Sequence, residues 1–221
     1  MDISPVLVSL RTASCSIILT FFLGIFAAWF VADTKWKALK IILDGILILP
    51  LVFPPTVVGF FLLYIFGTRG PIGRFFLDFF GYKIAFSWTA TVLAAMVISF
   101  PLMYRSARGA LEQLDTVLID DARTLGFSEW SILWKVRLPI VMPGIAAGGV
   151  LAFARGLGEF GATAMIAGNI VGKTRTLPLA VYSAVASGDM NAAGNYVIVI
   201  IVISFVVIAL LNLFSKYLFR P

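Results

Sequence analysis

Histidine is absent from the 221 residues of the sequence, and cysteine occurs once, at position 15. No disulfide can form within the chain, and a zinc site of the Cys/His kind has no ligands to draw on. Cys15 sits in an apolar run and reads as a small packing residue. Charge is scarce as well. Only 13% of the residues are Asp, Glu, Lys or Arg, against about 25% in soluble domains. No segment matches the nucleotide-binding pattern G-x-x-x-x-G-K-[ST], so the chain has no conventional ATP site. Internal repeats and low-complexity stretches are also missing, which gives inverted-repeat secondary transporters little support. A membrane-embedded enzyme would need a polar constellation inside apolar segments, and no nucleophile–base pair or metal cluster is visible there.

What the chain does have is apolar length. Hydrophobic residues make up 61% and the mean hydropathy is +1.02. A soluble fold of this size could not hide so much apolar surface, so lipid is the expected solvent. Crossing a bilayer takes about 20 apolar residues in a helix. Five runs qualify: residues 8–31, 41–66, 84–104, 140–166 and 196–219. The first is long enough to span and lacks a convincing cleavage site, so it is expected to be retained. Residues 75–80 are too short to span and read as interfacial. The expectation is one all-α membrane domain over residues 1–221, with about five transmembrane helices.

The net charge of +6 would suggest nucleic acid in a soluble protein, but here it fits basic loops on the cytoplasmic side. With the amino terminus outside, Lys35, Lys37, Lys40, Arg105, Arg108, Arg123, Lys135, Arg137, Lys216 and Arg220 face inward. Arg11, Arg69, Arg74, Lys83, Lys173 and Arg175 face outward, and Arg155 falls within a span. The bias favours N-out and C-in and places the loop of residues 105–139 inside.

That loop reads RSARGALEQLDTVLIDDARTLGFSEWSILWKVRLP. On a helical wheel Leu111, Leu114, Leu118, Ala122 and Leu125 fall within about 40° of one line. Asp115 can cap the second half of this helix, and Gly126 stands where a helix-terminating glycine is expected. Ser128 can cap a further helix, which Pro139 would end. Two readings follow: a helix lying on lipid, or a helix–turn–helix docking element for a soluble partner.

The apolar runs carry their own signals. LPLVFPPTVVGF contains Pro50, Pro54 and Pro55, and proline at membrane depth frees carbonyls that need protein or water. This is either a simple kink or a broken helix that lines a pathway with Thr56. In the fourth run Gly144, Gly148, Ala152 and Gly156 recur every four residues, a stripe for close helix packing. Arg155 and Glu159 lie four apart at membrane depth, either as a structural ion pair or as part of a gate. Thr163 follows in the same run. Thr174, Arg175, Thr176 and Pro178 form a polar outer connection. It is either a surface loop or a segment folded into the mouth, where Arg175 would attract an anion.

Asp120, Asp121, Ala122, three residues, Gly126, nine residues, then Val136, Arg137, Leu138, Pro139 resembles the EAA motif of bacterial ABC importer permeases. That motif reads E-A-A, three residues, G, nine residues, I-x-L-P. The spacing matches throughout. Asp120 replaces Glu, Asp121 replaces Ala and Val136 replaces Ile. LPLVFPPTVVGF, FSWTATVLAAMVISFPLMYRSARGALE and FARGLGEFGATAMIAGNIVGKTRTLPLAVY look like the molybdate branch of that family. Sulfate, thiosulfate and tungstate permeases share several of these segments, notably GEFGA. The resemblance implies a type I ABC importer permease fold and residence in a bacterial or archaeal cytoplasmic membrane. It implies a second permease copy, two ATP-binding subunits and an extracytoplasmic substrate-binding protein as partners. ATP and Mg²⁺ would be held by the ATPase, with no cofactor, metal or catalytic residue in this chain. Leu118, Asp120, Asp121, Ala122, Leu125, Gly126, Val136, Leu138 and Pro139 would then form the coupling element. Pro54, Pro55, Thr56, Arg155, Glu159, Thr163 and Thr176 are the pathway candidates, with Arg175 at the outer mouth.

Overall fold

The computed structural model describes residues 2–218, and all regular elements among them are helical. Helix α1 (Ser4–Asp33) begins with Pro5 in its first turn, where a missing amide costs nothing. Between Val8 and Val31, which are also buried, its buried face is Ser9, Thr12, Ala13, Ser16, Thr20, Gly24 and Ala28, all small. This face packs along α5 (Trp88–Glu112). The approach is close: a β-carbon on Gly24 would lie 2.6 Å from Met103 Cγ. The outer faces carry Phe22, Phe26 and Phe30, exposed and apolar, as lipid contact requires.

The second apolar run is two helices, α2 (Lys37–Val52) and α3 (Pro55–Phe66), bent by 111°. The cause is local. Pro55 has no amide to donate, and the consecutive Pro54 and Pro55 crowd the residues before them out of helical backbone. Phe53 and Pro54 accordingly take ψ 144° and 136°. A simple kink is therefore excluded. Pro50 inside α2 and Pro101 inside α5 do not interrupt their helices.

Helix α4 (Pro71–Phe80) covers residues 75–80 and is too short to span, and Phe75, Phe76, Phe79 and Phe80 are exposed. After α5 come α6 (Thr116–Thr124), α7 (Glu129–Ile132) and a π-helical turn at Leu133–Arg137. That turn leads directly into α8 (Leu138–Leu157), so one helical stretch runs over Glu129–Leu157. Pro139 does not end the helix. It sits in the first turn of α8, and the wider turn before it, with Leu138 N–H donating to the Leu133 carbonyl, accommodates the missing donor. The fourth run does not hold to residue 166. It breaks at residues 158–160 and resumes as α9 (Gly161–Ala167). Helices α10 (Leu177–Ala186) and α11 (Met190–Leu218) follow. Phe219, the expected end of the last span, and Arg220 lie outside the described residues, as does the side chain of Lys216.

Among the described residues, four helical stretches are long and apolar enough to cross a membrane, five if the bent pair counts as one span. Their ends sort consistently. At one end Ser9 Oγ accepts from Leu177 N–H, the Trp88 indole donates to Thr12, and the Tyr196 hydroxyl donates to the Asp2 carbonyl. There α1, α5 and α11 all begin. At the other end Lys40 meets Glu112 at 3.0 Å, and the loop of residues 105–139 begins.

A row of hydroxyls stitches α1 to α5. Thr12 and Thr91 share a hydrogen bond of 2.8 Å, and Thr20 and Ser99 one of 3.2 Å. Two cores flank this seam. Ala28, Met103, Tyr104 and Ile145 join α1, α5 and α8, while Val58, Leu62, Ala94, Ile98, Ala162 and Ile166 join α3, α5 and α9.

Candidate functional site

The loop between α5 and α8 is a helix–turn–helix built by three local devices. Asp115 accepts from Val117 N–H at 2.9 Å and starts α6. Gly126 takes φ +79°, a backbone that a branched side chain resists, and turns the chain. Ser128 accepts from Ser131 N–H and starts α7. The apolar line over residues 111–125 does not lie on one helix, because the chain breaks at residues 113–115. Leu111 and Leu114 pack against the α1–α5–α8 core, while Leu118 and Leu125 stand 48% and 76% exposed.

Beneath them the loop has a small core of its own: Ile119, Ala122 and Ile132, with Val136 against it. Ala122 therefore shapes the loop from inside. Arg123 clamps the turn, meeting Asp120 at 2.9 Å and Glu129, across Gly126, at 2.6 Å. The hydrogen bond to Glu129, then that to Asp120, raises the Arg123 pKa above its already high value, so the clamp stays charged at any physiological pH. Asp121 is exposed, and its carbonyl accepts from the Thr124 hydroxyl. Leu138 is half-buried and Pro139 exposed. The outward surface thus includes Val117, Leu118, Leu125, Phe127 and Trp130, apolar side chains around a charged turn.

The second constellation lies where two helices are interrupted. Glu159 is beyond the end of α8, not in the middle of a continuous helix, yet it is only 2% exposed. One of its oxygens accepts from Arg155 Nη1 at 2.8 Å and the other from Ala162 N–H at 2.8 Å. The carboxylate thus pairs the cation and satisfies a free amide at the start of α9, as a helix break at membrane depth requires. On the other side α3 begins with Pro55 and Thr56. A β-carbon on Gly161 would lie 3.1 Å from Pro55 Cβ and 3.3 Å from Thr56 Cγ2. A β-carbon on Gly59 would lie 2.7 Å from the Ala162 α-carbon. The two broken runs therefore meet backbone to backbone.

The other pathway candidates are placed differently. Thr163 is buried, and Thr176 is buried with its hydroxyl unpartnered. Thr174 is buried too, accepting from Ile170 N–H. The TRTLP segment is therefore packed into the bundle rather than an ordinary surface loop. Arg175 is half-buried and donates to Asn169 at 2.8 Å. In the glycine stripe, β-carbons on Gly144 and Gly148 would lie 2.7 Å from Ala110 Cβ and 2.5 Å from Ser106 Cβ, which locates the close α8–α5 contact. No group of three or more His, Cys, Asp or Glu among the described residues is arranged to hold a metal ion.

Sequence reasoning missed one polar network. Asp44 on α2 accepts from the Tyr104 hydroxyl at 2.6 Å and pairs with Arg108, which also meets Glu112 at 3.1 Å. Glu112 in turn meets Lys40. It ties the first half of the broken run to the last turns of α5, just ahead of the helix–turn–helix. An acid isolated in the run KIILDGILIL was the one available signal.

Comparison with known proteins adds four findings. Residues 6–220 match the family described as binding-protein-dependent transport system inner membrane component. The molybdenum transport system permease protein ModB of Escherichia coli (strain K12) is 48% identical over 190 residues, covering 85% of this chain and 82% of that protein. The putative molybdenum transport system permease protein YvgM of Bacillus subtilis (strain 168) is 40% identical over 205 residues, covering 93% and 90%. Among solved structures, an inward-facing MetNI methionine ABC transporter superposes with a TM-score of 0.76 at 17% identity, covering 98% of this chain and 95% of that one. That likeness shows the fold.

Proposed function

The chain belongs to the binding-protein-dependent transport system inner membrane component family, and on that premise we propose that it is the permease subunit of an ATP-driven importer for molybdate. The observation that carries the coupling half of this reading is the helix–turn–helix. It has the EAA spacing, a left-handed glycine at its turn and an outward apolar surface of Leu118, Leu125 and Trp130. Such a surface is suited to a cleft in a soluble partner. The cargo half leans on relatives named for molybdenum transport.

In this reading the permease works as a homodimer with two ATPase subunits inside and a substrate-binding protein outside. It resides in a cytoplasmic membrane, N-out and C-in. ATP and Mg²⁺ belong to the ATPase, and this chain contributes no catalytic residue or cofactor. Nucleotide binding draws the two helix–turn–helix elements together. The uninterrupted stretch Glu129–Leu157 carries that displacement to the junction at Glu159, where α3 and α9 meet. Pro54, Pro55 and Thr56 of each copy then form the gate, and Arg175 attracts the anion at the outer mouth. The pathway needs only weak sites, because conduction requires release.

The test is uptake by proteoliposomes containing the assembled importer and its binding protein, with molybdate, tungstate, sulfate and thiosulfate offered separately. ATP-dependent molybdate uptake is expected. Uptake of sulfate or thiosulfate alone would move the chain to that branch, and tungstate uptake without molybdate would rename the cargo.

A further inference from the structure

A cavity of about 500 Å³ lies between the last turns of α1, the end of α5 and the π-helical turn leading into α8. Ile25, Leu133 and Leu138 form part of its apolar wall, and Trp29 and Trp134 also line it. Tryptophan pairs of this kind mark the level where lipid headgroups meet hydrocarbon. Three charged residues share the lining: Asp33, Glu112 and Arg137.

These charges are not equally engaged. Glu112 is paired with Arg108 and Lys40. Asp33 is exposed, and one of its oxygens accepts from the Trp29 indole at 3.0 Å. Arg137 is in no ion pair among the described residues, and its Nε is buried without an acceptor. Arg137 lines the cavity and is only half-buried, so the outer edge of its unpaired guanidinium is open to an acceptor from outside the chain. Water alone fills an apolar space of this size poorly.

We propose that the cavity holds one glycerophospholipid with an ethanolamine headgroup. One acyl chain lies along Ile25, Leu133 and Leu138, the phosphate accepts from Arg137, and the ammonium group meets Asp33. An anionic headgroup would satisfy Arg137 but would set its extra charge beside Asp33 and Glu112. A choline headgroup cannot donate a hydrogen bond to the carboxylate. The proposal rests on the permease reading only in placing this end of the bundle at a membrane surface. Its readout is lipid occupancy, so a wrong cargo or ATPase partner would leave it untouched.

The experiment is native mass spectrometry of the full chain, purified in detergent and offered equimolar phosphatidylethanolamine, phosphatidylglycerol and phosphatidylcholine. One retained phosphatidylethanolamine per chain is expected. Arg137→Gln, and Ala32→Phe in the cavity wall, should each lower retention about ten-fold, the effect of losing one charge-assisted hydrogen bond or the seat of the chain. Asp33→Asn, at an exposed position that the fold tolerates, should abolish the headgroup preference while keeping a bound lipid. The proposal fails if no lipid is retained, if all three headgroups bind alike in the unmodified chain, or if Asp33→Asn leaves the preference intact. It also fails if a partner side chain occupies the cavity in the assembled importer.

Discussion

Arg155 and Ala162 meet through a single carboxylate: Glu159 takes the guanidinium on one oxygen and the amide on the other, at 2.8 Å each. The two partners differ in exposure. The Arg155 side chain is 32% exposed and the Glu159 side chain 2%. Removing Arg155 strands a buried charge, whereas removing Glu159 leaves a cation that reaches solvent. Arg155→Ala should therefore be more harmful than the double variant Arg155→Ala/Glu159→Gln, because glutamine keeps an acceptor for Ala162 without the charge. The rescue should be about 1–3 kcal/mol in stability, read by thermal unfolding in detergent. A loss in the double variant equal to the sum of the losses in Arg155→Ala and Glu159→Gln would mean that the two residues act independently.

The contact between α3 and α9 makes a second, purely steric prediction. Gly59→Ala should cost about 1–3 kcal/mol by pushing backbone against backbone, since its β-carbon would fall 2.7 Å from Ala162 Cα. Gly45→Ala, with nothing within 4 Å, should be neutral or better. A melting temperature unchanged in both variants would contradict the packing.

At Gly126 the space is open and only the backbone is constrained. Gly126→Val should therefore reduce coupled ATP hydrolysis and transport, at a cost of about 1–2 kcal/mol in the turn. Gly126→Asn, which tolerates left-handed backbone, should retain more activity. Equal activity of the valine variant and the parent would remove the turn from the coupling mechanism.

Orientation can be read by cysteine labelling on a Cys15→Ala background. Leu125→Cys and Lys173→Cys suit the purpose because both positions are exposed. An impermeant reagent applied to intact cells should label position 173 and not position 125. The reverse pattern would invert the topology.

Arg175→Glu should slow uptake most at low ionic strength, since screening removes long-range attraction as salt rises. It also breaks the bond to Asn169, so Asn169→Ala serves as the control for that local loss. Uptake equal to the parent at every salt concentration would exclude a steering role.

Much of this architecture can be read from local chemistry. The apolar runs, the caps at Asp115 and Ser128 and the turn at Gly126 each depend on residues within a few positions of one another. What escaped depends on partners distant in sequence or on geometry that apolar composition conceals. The stretch RGLGEFGA reads as a continuous span because glycine and alanine are common in membrane helices. Only the fold reveals that Glu159 caps a new helix there. Pro139 looks like a stop until the π-helical turn ahead of it is seen. The bond from Tyr104 to Asp44 joins positions 60 residues apart, beyond any periodic pattern.

The hydroxyl seam has a consequence for how the chain is made. Thr12 and Thr91 are 79 residues apart, which at roughly 5–20 residues per second is about 4–16 seconds of synthesis. During that interval α1 waits in the bilayer with its hydroxyls still lacking their mates. A threonine or serine in a helix can turn back to a carbonyl of the preceding turn, as Ser16 still does to Ala13 at 3.1 Å. The nascent helix can thus keep each polar atom occupied locally until α5 arrives. Docking then exchanges one acceptor for another, and α1 is kept ready for a helix that is made seconds later.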